Sequence, residues 1–260
     1  MKVFRCIVAF ATIASIIGCS TTEAPAPALP VDVVHYDNLD YGVPSRCDQI
    51  IEREGYALGY SYDMKIPLWV SYRLTSNEVV SIVARRSNNF KTDFDLVAGR
   101  SSPEDYRKSG YDKGHLAPAA DMHWSTNAMN ESFLMSNMAP QTPALNRKTW
   151  ASIESLARSK AISEQSMFII SGIISTNIMP KMIGQSGVVV PDAFFKVLYD
   201  ETPPQKMIGF IVPNECPSTN IWMYAYTVSN VEEVARMDFF ALCTNDIQRM
   251  KCTLNAIDWQ

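Results

Sequence analysis

Apolar residues along this chain alternate between short strand-like runs and one long stretch of helical spacing. Leu68 to Leu74 and Glu78 to Arg85 are rich in β-branched and aromatic residues, and Thr75-Ser76-Asn77 between them reads as a turn. That pattern predicts a hairpin. Met167 to Ile174, Phe194 to Tyr199 and Met207 to Val212 are further strand-length runs bounded by Gly, Pro, Asp and Asn. From Asn146 to Lys160 the apolar positions Trp150, Ile153, Leu156 and Ala157 recur at three- and four-residue steps, which predicts a helix. Shorter helices are expected at Val231 to Met237 and Asn245 to Met250. Strands grouped before and after a central helix, without regular alternation, predict an α+β fold with a mostly antiparallel central sheet flanked by helices.

The first residues follow a different rule. Lys2 and Arg5 precede an apolar run from Cys6 to Ile17 that is too short to span a bilayer, as expected of an export signal. Ile16-Ile17-Gly18-Cys19 resembles a bacterial lipobox, in which the cysteine is acylated; a plain cleaved signal is the alternative. Ser20 to Pro30 is a Ser/Thr/Ala/Pro tether. The expected division is therefore 1–18 as signal, 19–34 as lipidated Cys19 and tether, and 35–260 as one domain, since no repeat or second linker follows. The expected location is the bacterial cell envelope, anchored by lipid and facing periplasm or exterior, or else the secreted medium. Cys47, Cys216, Cys243 and Cys252 remain in a compartment that permits disulfides, with three pairings open; Cys243–Cys252 is favoured by closeness, and free thiols are the alternative.

A composition of 47% hydrophobic and 19% charged residues excludes a disordered chain. Without Lys2 and Arg5 the chain holds 21 basic and 27 acidic residues, a net of -6, which alone would argue against a polyanion as partner. The distribution reverses that inference. Arg85 to Lys160 carries 11 basic and 8 acidic residues, net +3, and leaves the remainder at -9. Phosphate binding responds to local potential, so a basic cleft on an acidic body suits nucleic acid.

Chemistry concentrates in that same segment. Asp112-Lys113-Gly114-His115 places an imidazole directly after a glycine, and neutral imidazole can accept a proton from water near neutral pH. Asn137 and Asn146 offer neutral oxygen acceptors, and Glu154 adds a carboxylate. Hard Mg²⁺ takes oxygen ligands and keeps several of its waters, so one or two protein ligands suffice. On a uniform α-helix Asn146, Trp150 and Glu154 fall within about 80° of one another. Read singly, Asn146 is as well explained as a helix cap and Glu154 as a solvated position.

Together the blocks are more specific. Asp112-Lys113-Gly114-His115, Ser136-Asn137-Met138-Ala139-Pro140-Gln141, and Leu145-Asn146 with Trp150 and Glu154 occur in order. The stretch from Tyr111 to Glu154 closely resembles the DNA/RNA non-specific endonucleases, the ββα-metal nucleases that include mitochondrial endonuclease G. The resemblance extends from about Tyr60, including Pro67-Leu68-Trp69-Val70, to about Phe240. It implies a Mg²⁺-dependent hydrolase, with Mn²⁺ able to substitute, that cuts DNA and RNA to 5′-phosphate and 3′-hydroxyl ends.

By the same resemblance His115 activates water, Asn146 binds the metal directly, Glu154 holds it through its water shell, and Asn137 orients His115 or the phosphate. The family's upstream phosphate-contacting arginine falls at Arg86, with Arg85 adjacent, and Lys113 and Arg147 add to substrate binding. Lys113 departs from the arginine of many relatives and cannot make a two-pronged guanidinium contact. Asp112 is expected to be a structural acceptor, His35 incidental, and His123 a surface or supporting residue, because no third ligand completes a zinc motif. A homodimer is left open. The alternative reading is a catalytically degenerate envelope lipoprotein that binds nucleic acid without cutting it.

Overall fold

The computed structural model describes residues 36–215 and 217–259. The expectations for the signal, Cys19, the tether, His35 and Cys216 lie outside these residues. In chain order the strands are β1 (Gln49–Glu52), β2 (Ala57–Ser61), β3 (Ile66–Thr75), β4 (Asp112–His115), β5 (Met138–Gln141) and β6 (Ser166–Ile174). They continue with β7 (Met182–Ile183), β8 (Val188–Val189), β9 (Ala193–Asp200), β10 (Lys206–Pro213) and β11 (Ala225–Tyr226). The helices are α1 (Ser76–Val80), α2 (Thr126–Ser132), α3 (Ala151–Ser163), α4 (Val228–Ala235) and α5 (Asn245–Met250), with a π-helical turn, Leu145–Trp150, leading into α3.

Seven strands make one antiparallel sheet in the order β1-β2-β3-β6-β9-β10-β11, while β4–β5 and β7–β8 are separate ribbons. This is the expected α+β architecture. Both faces of the sheet are covered, and β9 shows how one strand serves both. Phe194 and Leu198 point into a core that includes Trp150, Ile153 and Ala157, whereas Phe195, Val197 and Tyr199 point into a second core with Val228, Val231, Phe239 and Phe240. On β2 the Trp69 indole lies so close over Gly59 that a Cβ there would be 2.3 Å from it, so the cross-strand packing requires glycine.

The expected hairpin at 68–85 does not form. Its first arm is β3, which pairs with β2 and β6, but Thr75 then starts α1. The reason is a capping box. The Glu78 carboxylate accepts from Thr75 N at 2.8 Å and Oγ1 at 2.9 Å, while Glu78 N donates back to Thr75 Oγ1 at 3.3 Å. These local bonds satisfy helix-start groups and override the β-propensity of Val79 and Val80. The predicted strands at 167–174, 194–199 and 207–212 appear as β6, β9 and β10, and α5 matches its predicted bounds.

Candidate active site

The ribbon β4–β5 and the following helix form one unit beside the large sheet. His115 pairs with Met138, and Asp112 with Gln141. The glycine before His115 is needed for proximity, because a Cβ on Gly114 would lie 2.3 Å from the Gln141 side chain. Three buried side chains fasten the unit. Asn137 accepts from Ala117 N at 2.9 Å and donates to Ala117 O at 2.8 Å and Ser132 O at 2.9 Å. Trp150 Nε1 donates to His115 O at 3.3 Å, and Asn214 Nδ2 donates to Pro140 O at 2.9 Å and Pro191 O at 3.0 Å.

Of the two roles expected for Asn137, orienting His115 or the phosphate, these bonds fit the first. Its amide is fully buried and spent on backbone groups, so it fixes the loop leaving His115 and offers nothing to a phosphate.

His115 is 7% exposed, packs edge-on against Phe133 at 5.1 Å between ring centroids and lies tilted against Phe90 at 5.6 Å. Its Nε2 is buried without a hydrogen-bond partner. Burial first, and the positive Arg86 second, carry the imidazole from its ordinary 6.5 down to about 3. The ring is therefore neutral in ordinary buffers. Arg86 acts electrostatically on both His115 and Glu154 and stacks its guanidinium 5.1 Å over Phe133, which sets this arginine beside the imidazole. Lys113 lies on the same side of β4 as His115, with its ammonium 4.7 Å over the Phe90 ring.

On the helix side, Asn146 Nδ2 donates to Asp112 Oδ2 at 2.9 Å, an orientation that turns the side-chain carbonyl oxygen, the atom suited to a metal, away from Asp112. Arg147 grips the same carboxylate in two places, at 2.8 and 2.7 Å. The Arg147 and Asn146 bonds hold the Asp112 carboxyl below the usual carboxylate range. Asp112 is thus the structural acceptor expected, and Arg147, expected to add to substrate binding, pairs with it while its side chain stays largely exposed.

The predicted helix at 146–160 begins as a π turn, and this alters the angular argument. Four α-helical residues overshoot a full turn by about 40°, whereas a π turn, bonded i to i+5, uses more residues per turn and falls short. The shortfall from Asn146 to Trp150 offsets the overshoot from Trp150 to Glu154. Asn146 and Glu154 consequently share a face more closely than a uniform α-helix would allow. One amide oxygen and one nearby carboxylate fit a hard, largely hydrated cation; among the described residues no cluster of three or more His, Cys, Asp or Glu could cage a metal.

Beneath Glu154 lies a charged network absent from the sequence reading. Lys196, fully buried on β9, donates to Ser171 Oγ and lies 5.0 Å from the Trp150 ring centroid. Asp121 accepts from Tyr72 Oη at 2.8 Å and Arg158 at 2.9 Å. Burial pushes the Glu154 carboxyl up, with Lys196 opposing it. Burial likewise pushes the Lys196 ammonium down. Two signals for this network were present in the sequence: a lysine inside the apolar run Phe194-Phe195-Lys196-Val197-Leu198, and Arg158 one helical turn after Glu154.

At His123 it is the backbone carbonyl that is bonded, accepting from Val83 N and Ala84 N at 2.9 Å each. The favoured Cys243–Cys252 disulfide is absent: Cys47, Cys243 and Cys252 are free thiols. Cys243 packs against the back-face aromatic core, whereas Cys252 is exposed beside Ser229 at 3.3 Å.

A two-stranded ribbon and a helix that set an imidazole, an amide oxygen and a carboxylate beside exposed basic groups define a ββα hydrolytic site for an anionic substrate. Comparison with known proteins gives the same class. Residues 36–246 match the family model described as DNA/RNA non-specific endonuclease. A nuclease of Nostoc sp. is 30% identical over 260 residues, covering 92% of this chain and 93% of that protein. Human mitochondrial endonuclease G is 36% identical over 186 residues, 67% of this chain but 62% of the human one. The crystal structure of an EndoG/EndoGI complex superimposes with a TM-score of 0.75 at 28% identity, over 80% of this chain and 91% of that one. The chain belongs to the DNA/RNA non-specific endonuclease family. It is a nuclease, a hydrolase acting on nucleic acid.

Proposed function

We propose that this protein is a Mg²⁺-dependent, sugar-non-specific endonuclease that leaves 5′-phosphate and 3′-hydroxyl ends on DNA and RNA. The observation that carries the reading is His115: a neutral imidazole with an unpartnered nitrogen, between Arg86 and Lys113, on the ribbon whose backbone is bonded to the Asn146–Glu154 helix. Arg86 and Lys113 hold the phosphodiester, and His115 takes the proton of the attacking water. Binding of the phosphate anion neutralises Arg86, which removes one of the two effects that depress the imidazole, so substrate makes its own base stronger.

Asn146, through its carbonyl oxygen, and Glu154, through intervening water, hold Mg²⁺, with Mn²⁺ able to substitute. When bound, that ion supplies electrostatic stabilisation of charge developing on the phosphoryl and leaving oxygens. Contacts to the backbone and none to base edges give low sequence preference. The envelope location through a lipid on Cys19 belongs to the same proposal and is tested by partition of native protein into detergent.

The decisive experiment is digestion of supercoiled plasmid and of RNA with Mg²⁺, with EDTA, and with His115→Ala in parallel. Both substrates should be lost only with the metal, and the substitution should lower the rate by about 100-fold or more, the usual worth of a positioned base. Near wild-type turnover by the variant would remove His115 as base. DNA binding by a folded wild type without cleavage under several divalent metals would favour a binding role.

A further inference from the structure

Lysine is a flexible, strongly hydrated point charge, and holding it in place for a phosphate ordinarily costs side-chain entropy on binding. At Lys113 the structure supplies a partner that lowers this cost. The ammonium lies 4.7 Å over the Phe90 ring, the arrangement of a cation–π contact. Phe90 is itself held. Its ring meets Phe133 edge-on at 5.0 Å and His115 at 5.6 Å, and Phe133 in turn meets His115 at 5.1 Å, so the three rings form a closed triangle.

The backbone carrying Phe90 is tied to the same place. Lys91 N donates to Phe133 O at 3.1 Å and Met135 N donates to Lys91 O at 2.8 Å, as Lys91 bridges Leu134. Arg86, on the same loop, lies over Phe133 in the way that Lys113 lies over Phe90. Each phenyl ring thus bears one cation and also touches the imidazole.

We propose that Phe90 is a positioning residue for substrate binding, whose ring holds the Lys113 ammonium beside His115 before a phosphodiester arrives. This rests on the nuclease reading above. The device offsets, at this position, the loss of the two-pronged grip that an arginine would give.

The test compares full-length wild type with Phe90→Leu, Phe90→Trp, Lys113→Met and the Phe90→Leu/Lys113→Met double variant on a synthetic duplex DNA. KM, kcat and, by anisotropy without divalent metal, DNA affinity against salt are measured. Phe90→Leu keeps bulk but removes the π face, and should raise KM by about two- to fivefold, the size of one cation–π contact, with a smaller change in kcat. The slope of log affinity against log salt should shrink by up to about one phosphate contact. Phe90→Trp should restore or tighten binding, because indole is the better ring for a cation. In the Lys113→Met background Phe90→Leu should change neither KM nor the salt slope. Equal effects of Phe90→Leu with and without Lys113, or an unchanged KM in the single variant, would overturn the proposal. Should Phe90→Leu fail to fold, weaker binding by a folded Phe90→Trp would overturn it too. Absence of cleavage by wild type would defeat the nuclease reading alone, since the anisotropy comparison still decides the role of Phe90.

Discussion

The two faces of the seven-stranded sheet are built from one set of strands and obey different rules. On the back, Phe168, Phe195, Tyr199, Phe239 and Phe240 pack with Trp69 and with Tyr41, whose ring lies 4.7 Å from that of Phe168. On the front, Lys196, Ser171, Asp121, Glu154 and Arg158 interrupt an otherwise apolar layer beneath α3. Adjacent residues of β9, Phe195 and Lys196, belong to opposite regimes. Apolar residues in place of both Lys196 and Glu154 would avoid the cost of burying the two charges, whereas removing one partner alone strands the other. The front face therefore keeps charge at the expense of stability, and the charge lies under the residues that would hold a cation. The back face has charges too, Arg73 over the Tyr41 and Phe168 rings and buried Lys251 against Glu232, but these are paired away from the residues that would hold a cation.

The largest expected difference between the faces concerns acid. His115 in the unfolded chain takes up a proton as pH falls through 6.5, while in the folded protein it does so only near 3. Unfolding therefore binds a proton between those values. The contribution is intact above pH 6.5 and is lost as pH falls toward 3, by up to about 5 kcal/mol. Urea midpoints of wild type and His115→Phe at pH 7 and pH 4 should show the variant less sensitive to acid. Equal sensitivity would mean that the imidazole is not held neutral by burial.

Next in size is the pair on β9. Phe195→Ala should cost about 3–5 kcal/mol in urea unfolding and leave the turnover of the folded fraction unchanged. Lys196→Met should cost about 3 kcal/mol, because Glu154 loses its buried counter-charge, and should lower turnover as well. A Lys196→Met protein with full activity would remove the functional distinction between the faces. The smallest effect is expected at Asn137→Ala, about 1–3 kcal/mol from three unmade buried hydrogen bonds. Its turnover should fall through displacement of His115, without a change in the salt dependence of DNA binding. A changed salt slope would instead place Asn137 at the phosphate.

The β10 run and the strand at β6 were legible because continuous apolar residues of strand length have few other uses in a two-sided sheet. The site blocks were legible because Asp112, His115, Asn137, Asn146 and Glu154 stand close together in sequence. What stayed hidden depends on contacts made across the chain. Lys196 stands out as a charge in an apolar run, but its partners show only when β6 brings Ser171 opposite it and α3 lays Glu154 over it. Phe90 and Phe133 read as core aromatics until the loop bridge sets both against His115. The helix at Thr75 was missed for a local reason: two hydrogen bonds of a capping box outweighed a β-branched pair. The purpose of Gly114 was likewise hidden: it sits in a strand where the missing side chain gives Gln141 room.

The β4–β5 ribbon shares no ladder with the large sheet; Asn137 and Trp150 hold it to its own loop and helix, and Asn214, just after β10, ties it to the sheet. A part joined by a few rivets can be moved as a whole. The ribbon and its helix amount to a cartridge, and the loops that run between cartridge and sheet can lengthen or shorten without disturbing the spacing inside it. A graft of Asp112 to Glu154 onto another sheet would bring the Asn137 and Trp150 bonds with it, and the host would have to supply the amide of Asn214, the ammonium of Lys196 and an apolar strand face for Trp150 and Ile153.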